Sequence, residues 1–138
     1  MTRLVMDSSV AIAWCVRSQA TTMTDNAEVY VTTHGAMQPA HFQLEVANGL
    51  WRLQRRKHIA QAAIDRFLSD LLLYGIEYDD KAVSLTFSAI LPLARAYGLG
   101  VYDAAYLETA LRLQLPLATR DVSLAAAAQA AGAQLFQP

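Results

Sequence analysis

Short apolar runs alternate along this chain with longer stretches whose apolar residues recur at helical spacing. The first run, Leu4-Val5-Met6, halts on Asp7, and an apolar stretch with helical spacing resumes after Ser8 and Ser9. This predicts a strand over 3–7 and a helix over 8–18, with Ser8 or Ser9 as its cap. The segment QATTMTDNAEVYVTTHG, 19–35, mixes alanine with threonine and valine and is read as a helix. GAMQP, 35–39, reads as a short strand closing on Pro39. HFQLEVANGLWRLQRRK then starts an amphipathic helix whose apolar face takes Phe42, Leu44, Val46, Ala47, Leu50, Trp51 and Leu53. A helix over 60–73, a short strand in YGIEYDD, a helix over 81–97 stopped by Gly98 and a helix in VYDAAYLETALRL opened by Asp103 follow in order. LPLATRD repeats the design of the opening, with a strand from Leu115 to Ala118 and a polar turn ending in Asp121. An alanine-rich helix, 122–131, and a last strand, AQLF, complete the pattern. Strands alternating with helices predict an α/β fold: a single domain over 1–138 with a short-stranded parallel sheet flanked by helices on both faces.

Composition narrows the class. The chain has 138 residues, of which 54% are hydrophobic and 17% charged, which fits a globule with a generous core and excludes disorder. A formal charge of -1 supplies no global basic field, so any grip on nucleic acid must be local. Cys15 has no partner, which excludes a disulfide framework and suits a reducing compartment; its apolar surroundings make it a core residue. No leader pattern opens the chain and no apolar run approaches the roughly 20 residues a membrane span needs, so the expected location is cytoplasmic.

The acids carry the chemistry. In open parallel sheets ligands bind outside the carboxyl ends of the strands, where the strand order switches. Asp7 and Asp121 stand at such ends, Glu45 lies in the first turns of the helix after Pro39, and Asp103 caps another helix, so four carboxylates are expected to converge. Singly, the aspartates have an ordinary explanation as helix caps worth about 1 kcal/mol each. Glu45 fits that explanation badly, because FQLEVANGL surrounds it with apolar residues, and Asn48, Gly49 and Arg52 form a thin polar stripe beside it like a pocket wall. Close carboxylates repel unless a cation neutralises them or one stays protonated. Oxygen ligands without cysteine or clustered histidine select Mg²⁺ or Mn²⁺ over zinc, and His34, His41 and His58 show no ligand spacing with the acids. The chemistry suggested is attack of a metal-activated water on a phosphodiester.

Four blocks in order, VMDSSVAIAW, PAHFQLEVANGL, VYDAAYLETA and LATRDVSLAAAA, resemble the PIN-domain ribonucleases, and particularly the VapC-like toxins of bacterial type II toxin–antitoxin pairs. The resemblance implies a parallel sheet between helices, Mg²⁺- or Mn²⁺-dependent endoribonuclease activity, a homodimer and a cognate antitoxin. It implies Asp7, Glu45 and Asp103 as the main metal ligands, with Asp121 completing the site or holding a second metal through water. Thr119, in a T-x-D arrangement, is implied to lie beside the site and bond a carboxylate or water, and Ser8 or Ser9 matches the hydroxyl after the first aspartate. Residues 19–35 match least well.

For RNA, the sequence offers Arg52, Arg55, Arg56, Lys57 and His58 at and beyond the end of the Glu45 helix, where cations also simply meet the helix dipole. Arg120, between Thr119 and Asp121, is the nearer RNA-binding candidate. Tyr102 and Tyr106 flank Asp103 and suit either base stacking or buried packing, with packing preferred. A phosphoacceptor receiver domain would need an acidic pair near the first strand and a lysine after the last, whereas the only lysines are Lys57 and Lys81. A non-catalytic protein-binding module of the same fold is the other alternative, and the four acids argue against it. The helices over 8–18 and 40–56 carry apolar residues such as Trp14, Trp51 and Leu53 beyond what one core face needs, which predicts a groove for an antitoxin's amphipathic helix.

Overall fold

The computed structural model describes residues 2–137. Four strands, β1 (Val5–Met6), β2 (Ala36–Pro39), β3 (Ile76–Asp79) and β4 (Leu117–Ala118), alternate with seven α-helices. These are α1 (Ser8–Cys15), α2 (Thr22–His34), α3 (Phe42–Arg55), α4 (Gln61–Leu71), α5 (Leu91–Tyr97), α6 (Val101–Leu113) and α7 (Val122–Ala131). β1 pairs with β4 and β2 with β3, all parallel. Single bridges from Leu4 to Ala36 and from Leu117 to Leu135 join these pairs into one spatial order, β3-β2-β1-β4 and then Leu135. The order therefore reverses between β1 and β4.

Where the main-chain ladder between β2 and β1 stops, a side chain takes over. The buried Gln38 amide accepts from the Met6 N–H at 3.0 Å and donates to the Met6 carbonyl at 2.6 Å, holding β2 to β1 one residue before Asp7. At the other end of β2, Gly35 takes φ +86°, and a Cβ there would stand 2.6 Å from the Gly75 carbonyl oxygen. Only glycine fits both demands.

Leu4, Val5, Met6 and Leu117 are fully buried, as expected of parallel strands covered by helices. α6 lies across β1, β2 and β4 and gathers α5 and α7, while α1 gathers α2, α3 and α4. α2 is set by a capping box in which Thr21 and Thr24 bond each other's backbone N–H, and the buried Trp14 indole N–H donates to the Thr24 carbonyl at 2.7 Å.

Several expectations need correction. The cap of α1 is Asp7 itself, not Ser8 or Ser9, and α1 ends at Cys15 because Val16 turns extended to bury its side chain. Asp103 does not cap α6: Gly100 holds that position and Asp103 lies inside the first turn. The stretch 81–97 is not one helix but a 3-10 turn (Val83–Leu85), a π turn (Thr86–Ile90) and α5. Pro92 explains the wide turn, since it lacks an N–H and its ring crowds the carbonyl four residues earlier. AQLF forms a single bridge rather than a strand. Trp14 is core, so it forms no part of an open groove, while Trp51 is 53% exposed. Among the described residues no single helix is long and apolar enough to cross a membrane.

Candidate active site

The turn after β1 and the turn after β4 are knitted together at the reversal of strand order. Asp7, 4% exposed, accepts hydrogen bonds from the Ser9 N–H at 3.1 Å, from the Ser9 hydroxyl and, on its other oxygen, from the Thr119 hydroxyl. Each hydroxyl also accepts: Ser9 Oγ from the Arg120 N–H at 3.2 Å, and Thr119 Oγ1 from the Asp121 N–H at 2.9 Å. Burial pushes the Asp7 carboxyl up to about 6, against the pull of the Ser9 and Thr119 bonds and with a contribution from the charge of Asp103.

The remaining acids come from three other segments. Asp121 is the exposed N-cap of α7, and its Oδ1 accepts from the N–H groups of Ser123 at 2.8 Å and Leu124 at 3.1 Å. Asp103 is half-buried, and its carboxyl is raised by burial and by the charges of Asp121 and Glu45, with His41 opposing. Glu45 is raised by burial but ends below its ordinary value, because His41 and the Tyr106 hydroxyl favour the charged form. Tyr106 donates to Glu45 Oε1 at 2.7 Å, and His41 Nε2 lies 3.5 Å from the same oxygen.

All four acids therefore sit within electrostatic reach of at least one other, yet the expected convergence stops short of a preformed cage. Among the described residues no three of His, Cys, Asp and Glu stand close enough to hold one metal ion. Each of three carboxylates is instead engaged by neighbours: Asp7 by Ser9 and Thr119, Asp121 by its own helix, and Glu45 by Tyr106. The donor set is nonetheless all carboxylate oxygen, which fits a hard divalent cation.

Residues 4–130 match the family model described as PIN domain. The chain belongs to the PIN-domain family. PIN domains are generally metal-dependent nucleases. The fold is similar to that in the crystal structure of PAE2754 from Pyrobaculum aerophilum, with a TM-score of 0.68 and 23% identity over 91% of this chain and 86% of that chain. No curated protein matches the sequence.

Two grooves lie in this part of the PIN domain, one lined by Glu45 and the other by its neighbour His41. One, of about 300 Å³, is polar, and its walls include Ser8, Ser9, Glu45, Asn48, Arg52 and Arg56. The polar stripe along α3 thus faces a groove, since Glu45, Asn48, Arg52 and Arg56 follow one another at spacings of three or four residues. Gly49 lets α3 approach α1 there: a Cβ would stand 2.5 Å from Ile12 Cδ1. Arg120 reaches the same place, donating to the Gln19 side-chain oxygen at 3.2 Å. Arg55 turns away, its guanidinium 5.4 Å above the Trp51 ring, and Lys57 and His58 border a separate hollow. The second groove, of about 280 Å³, is apolar and lined by His41, Leu44, Val101, Tyr102 and neighbours. The two tyrosines beside Asp103 part company here, Tyr106 fully buried and Tyr102 64% exposed.

Sequence reasoning missed His41, whose ring packs 4.7 Å from Tyr106 and 5.3 Å from Tyr102. Its position four residues before Glu45, one helical turn away, was the available signal. Asp79, at the end of β3, stands at a strand end as Asp7 does but is bound by Arg112, which also holds Glu108. That guanidinium keeps the Asp79 carboxyl below its ordinary value.

Proposed function

We propose that this PIN domain is a divalent-cation-dependent endoribonuclease, and that it is the toxin of a toxin–antitoxin pair. The observation that carries the reading is the raised carboxyl of Asp7, nine-tenths buried at the reversal of strand order with Asp103 charged nearby. A carboxyl buried against its charged form beside other acids, at the edge of a parallel sheet, is the pattern of a functional site. Asp7, Glu45 and Asp103 would hold Mg²⁺ or Mn²⁺, with Asp121 completing the set. When bound, the cation would offset the charge of the carboxylates and of the scissile phosphate and would lower the pKa of a water so that hydroxide is available as the nucleophile.

The chain's own residues do the positioning. Ser9 and Thr119 fix both oxygens of Asp7, and Tyr106 fixes one oxygen of Glu45, so the carboxylates present defined faces toward the substrate. Arg52 and Arg56 line the polar groove and Arg120 bonds Gln19 in its wall, where their charges suit the phosphates that continue from the cleaved one. Arg55 serves Trp51 instead and is left out of this path.

A partner that silences the site does so most simply by presenting an arginine or lysine to the acids. An antitoxin helix would anchor on exposed apolar residues near α3, such as Trp51, rather than on the buried Trp14. The reading places the protein in the cytoplasm as a homodimer. Mapping of cleavage sites on total cellular RNA, wild type beside Asp7→Asn, tests the activity. Discrete cuts made only by the wild type with Mn²⁺ support it, and identical RNA patterns from both overturn it.

A further inference from the structure

We propose that His41 and Tyr106 are a positioning pair that commits one oxygen of Glu45 to the protein, so that Glu45 takes a divalent cation through its other oxygen alone and the site selects Mn²⁺ or Mg²⁺ over Ca²⁺. This rests on the reading of Glu45 as a cation ligand and adds to it which cation the chain is built to hold.

The pair meets Glu45 at a single atom. The Tyr106 hydroxyl donates to Glu45 Oε1 at 2.7 Å, and His41 Nε2 faces the same oxygen from 3.5 Å. Among the described residues both contacts fall on Oε1 and none on Oε2. His41 Nε2 is buried and has no hydrogen-bond partner elsewhere. A buried N–H is costly to leave unbonded, so the gap to Oε1 is one that favours closing.

Local structure puts the ring there. His41 stands one turn before Glu45, and its carbonyl accepts from the Glu45 N–H at 3.0 Å, so the two side chains rise from one face of α3. His41 holds the N-cap position of α3, where Ser, Thr, Asp or Asn is the usual choice, yet its side chain makes no cap bond. The position forgoes the cap and turns its side chain to Glu45 instead. Tyr106 and Tyr102 pack against the ring at 4.7 and 5.3 Å, which restricts its rotation.

Cation choice follows from the oxygen left over. Ca²⁺ takes about six to eight oxygens in a flexible shell that readily includes a carboxylate bound through both of its oxygens. Mg²⁺ and Mn²⁺ favour an octahedral shell to which each carboxylate gives one. To bind through both oxygens, Glu45 would have to give up the Tyr106 bond and set the cation against the His41 N–H. Glu45 lines the polar groove and neither donor does, so that side of the carboxylate is left open to solvent.

The test reads binding and not cleavage. Electron paramagnetic resonance of Mn²⁺ gives the Mn²⁺ affinity of wild type, His41→Ala, His41→Gln, Tyr106→Phe and Glu45→Gln, and displacement by Ca²⁺ gives the Ca²⁺ affinity of each. His41→Ala and Tyr106→Phe are expected to weaken Mn²⁺ binding about tenfold and to leave Ca²⁺ binding within about twofold, while His41→Gln, which keeps an N–H at similar reach, retains the wild-type preference. Tyr106→Phe removes only a hydroxyl from a packed ring, so the test stands even where His41→Ala fails to fold. Equal losses of the two affinities, an unchanged preference in both variants, or a wild type that binds the two cations alike overturns the inference. A His41→Gln that behaves as His41→Ala does so for His41. Failure of the underlying reading looks different: Glu45→Gln then binds Mn²⁺ no more weakly than wild type.

Discussion

Replacing Asp7 by asparagine separates stability from function in a way the structure quantifies. Folding carries this carboxyl from an ordinary 3.8 to about 6. The folded state therefore binds the proton more tightly than the unfolded chain, so stability is greatest below pH 4, falls as the pH rises through 3.8 to about 6, and is level above. At about 1.36 kcal/mol per pH unit the gap amounts to about 3 kcal/mol of stability forgone at pH 7. Asparagine stays neutral throughout and escapes this loss. Its amide can no longer accept from both Ser9 and Thr119, which costs about 1–2 kcal/mol at every pH. Asp7→Asn should thus be less stable than wild type near pH 4 and more stable by about 1–2 kcal/mol near pH 7, without metal and without activity. Urea unfolding of both proteins in EDTA at pH 4, 5, 6 and 7 measures the difference. A difference that does not change with pH would refute the buried-carboxylate argument.

The ion pairs of Arg112 with Asp79 and Glu108 tie α6 to β3, and Arg112→Met leaves two buried carboxylates unpaired, at a cost of about 3 kcal/mol in urea unfolding; a loss under 1 kcal/mol would show the clamp to be dispensable. Gly35→Ala places a Cβ against the Gly75 carbonyl at a positive φ and should lower stability by about 2–3 kcal/mol, read by thermal melting. Millimolar Mn²⁺ should raise the melting temperature of wild type and leave Asp7→Asn nearly unmoved, by selective binding to the folded state. Equal shifts in the two proteins, matched by a monovalent salt control, would remove Asp7 from the cation's ligands.

The fold was legible wherever a local rule and the tertiary packing agree. The alternation of apolar runs and helical spacing located β1 to β4 and α2, α3, α4, α6 and α7, because burial on both faces demands such runs in a parallel sheet. It failed where a neighbour overrides the local signal: Pro92 widens the turn ahead of α5, and Gly100 takes the cap that Asp103 has the chemistry to fill. Asp7 and Asp121 were readable as acids at strand ends, since a strand and a cap announce themselves locally. The contacts that tune them were legible only in part: the T-x-D resemblance implied that Thr119 bonds a carboxylate or water, and it bonds Asp7 across 112 positions, whereas no spacing rule reaches the 61 positions between Tyr106 and Glu45. Which of the two tyrosines near Asp103 is core and which is exposed likewise depends on how α6 packs against the sheet.

The most direct test of the account is Mn²⁺-dependent cleavage of single-stranded RNA by purified Asp103→Asn beside wild type, with far-ultraviolet dichroism confirming the fold of each. Asp103 is half-buried in the first turn of α6 and raised by its acidic neighbours, so the amide keeps the shape and removes the charge. The account predicts a native dichroism spectrum and cleavage reduced to background. Undiminished cleavage by the variant would contradict it.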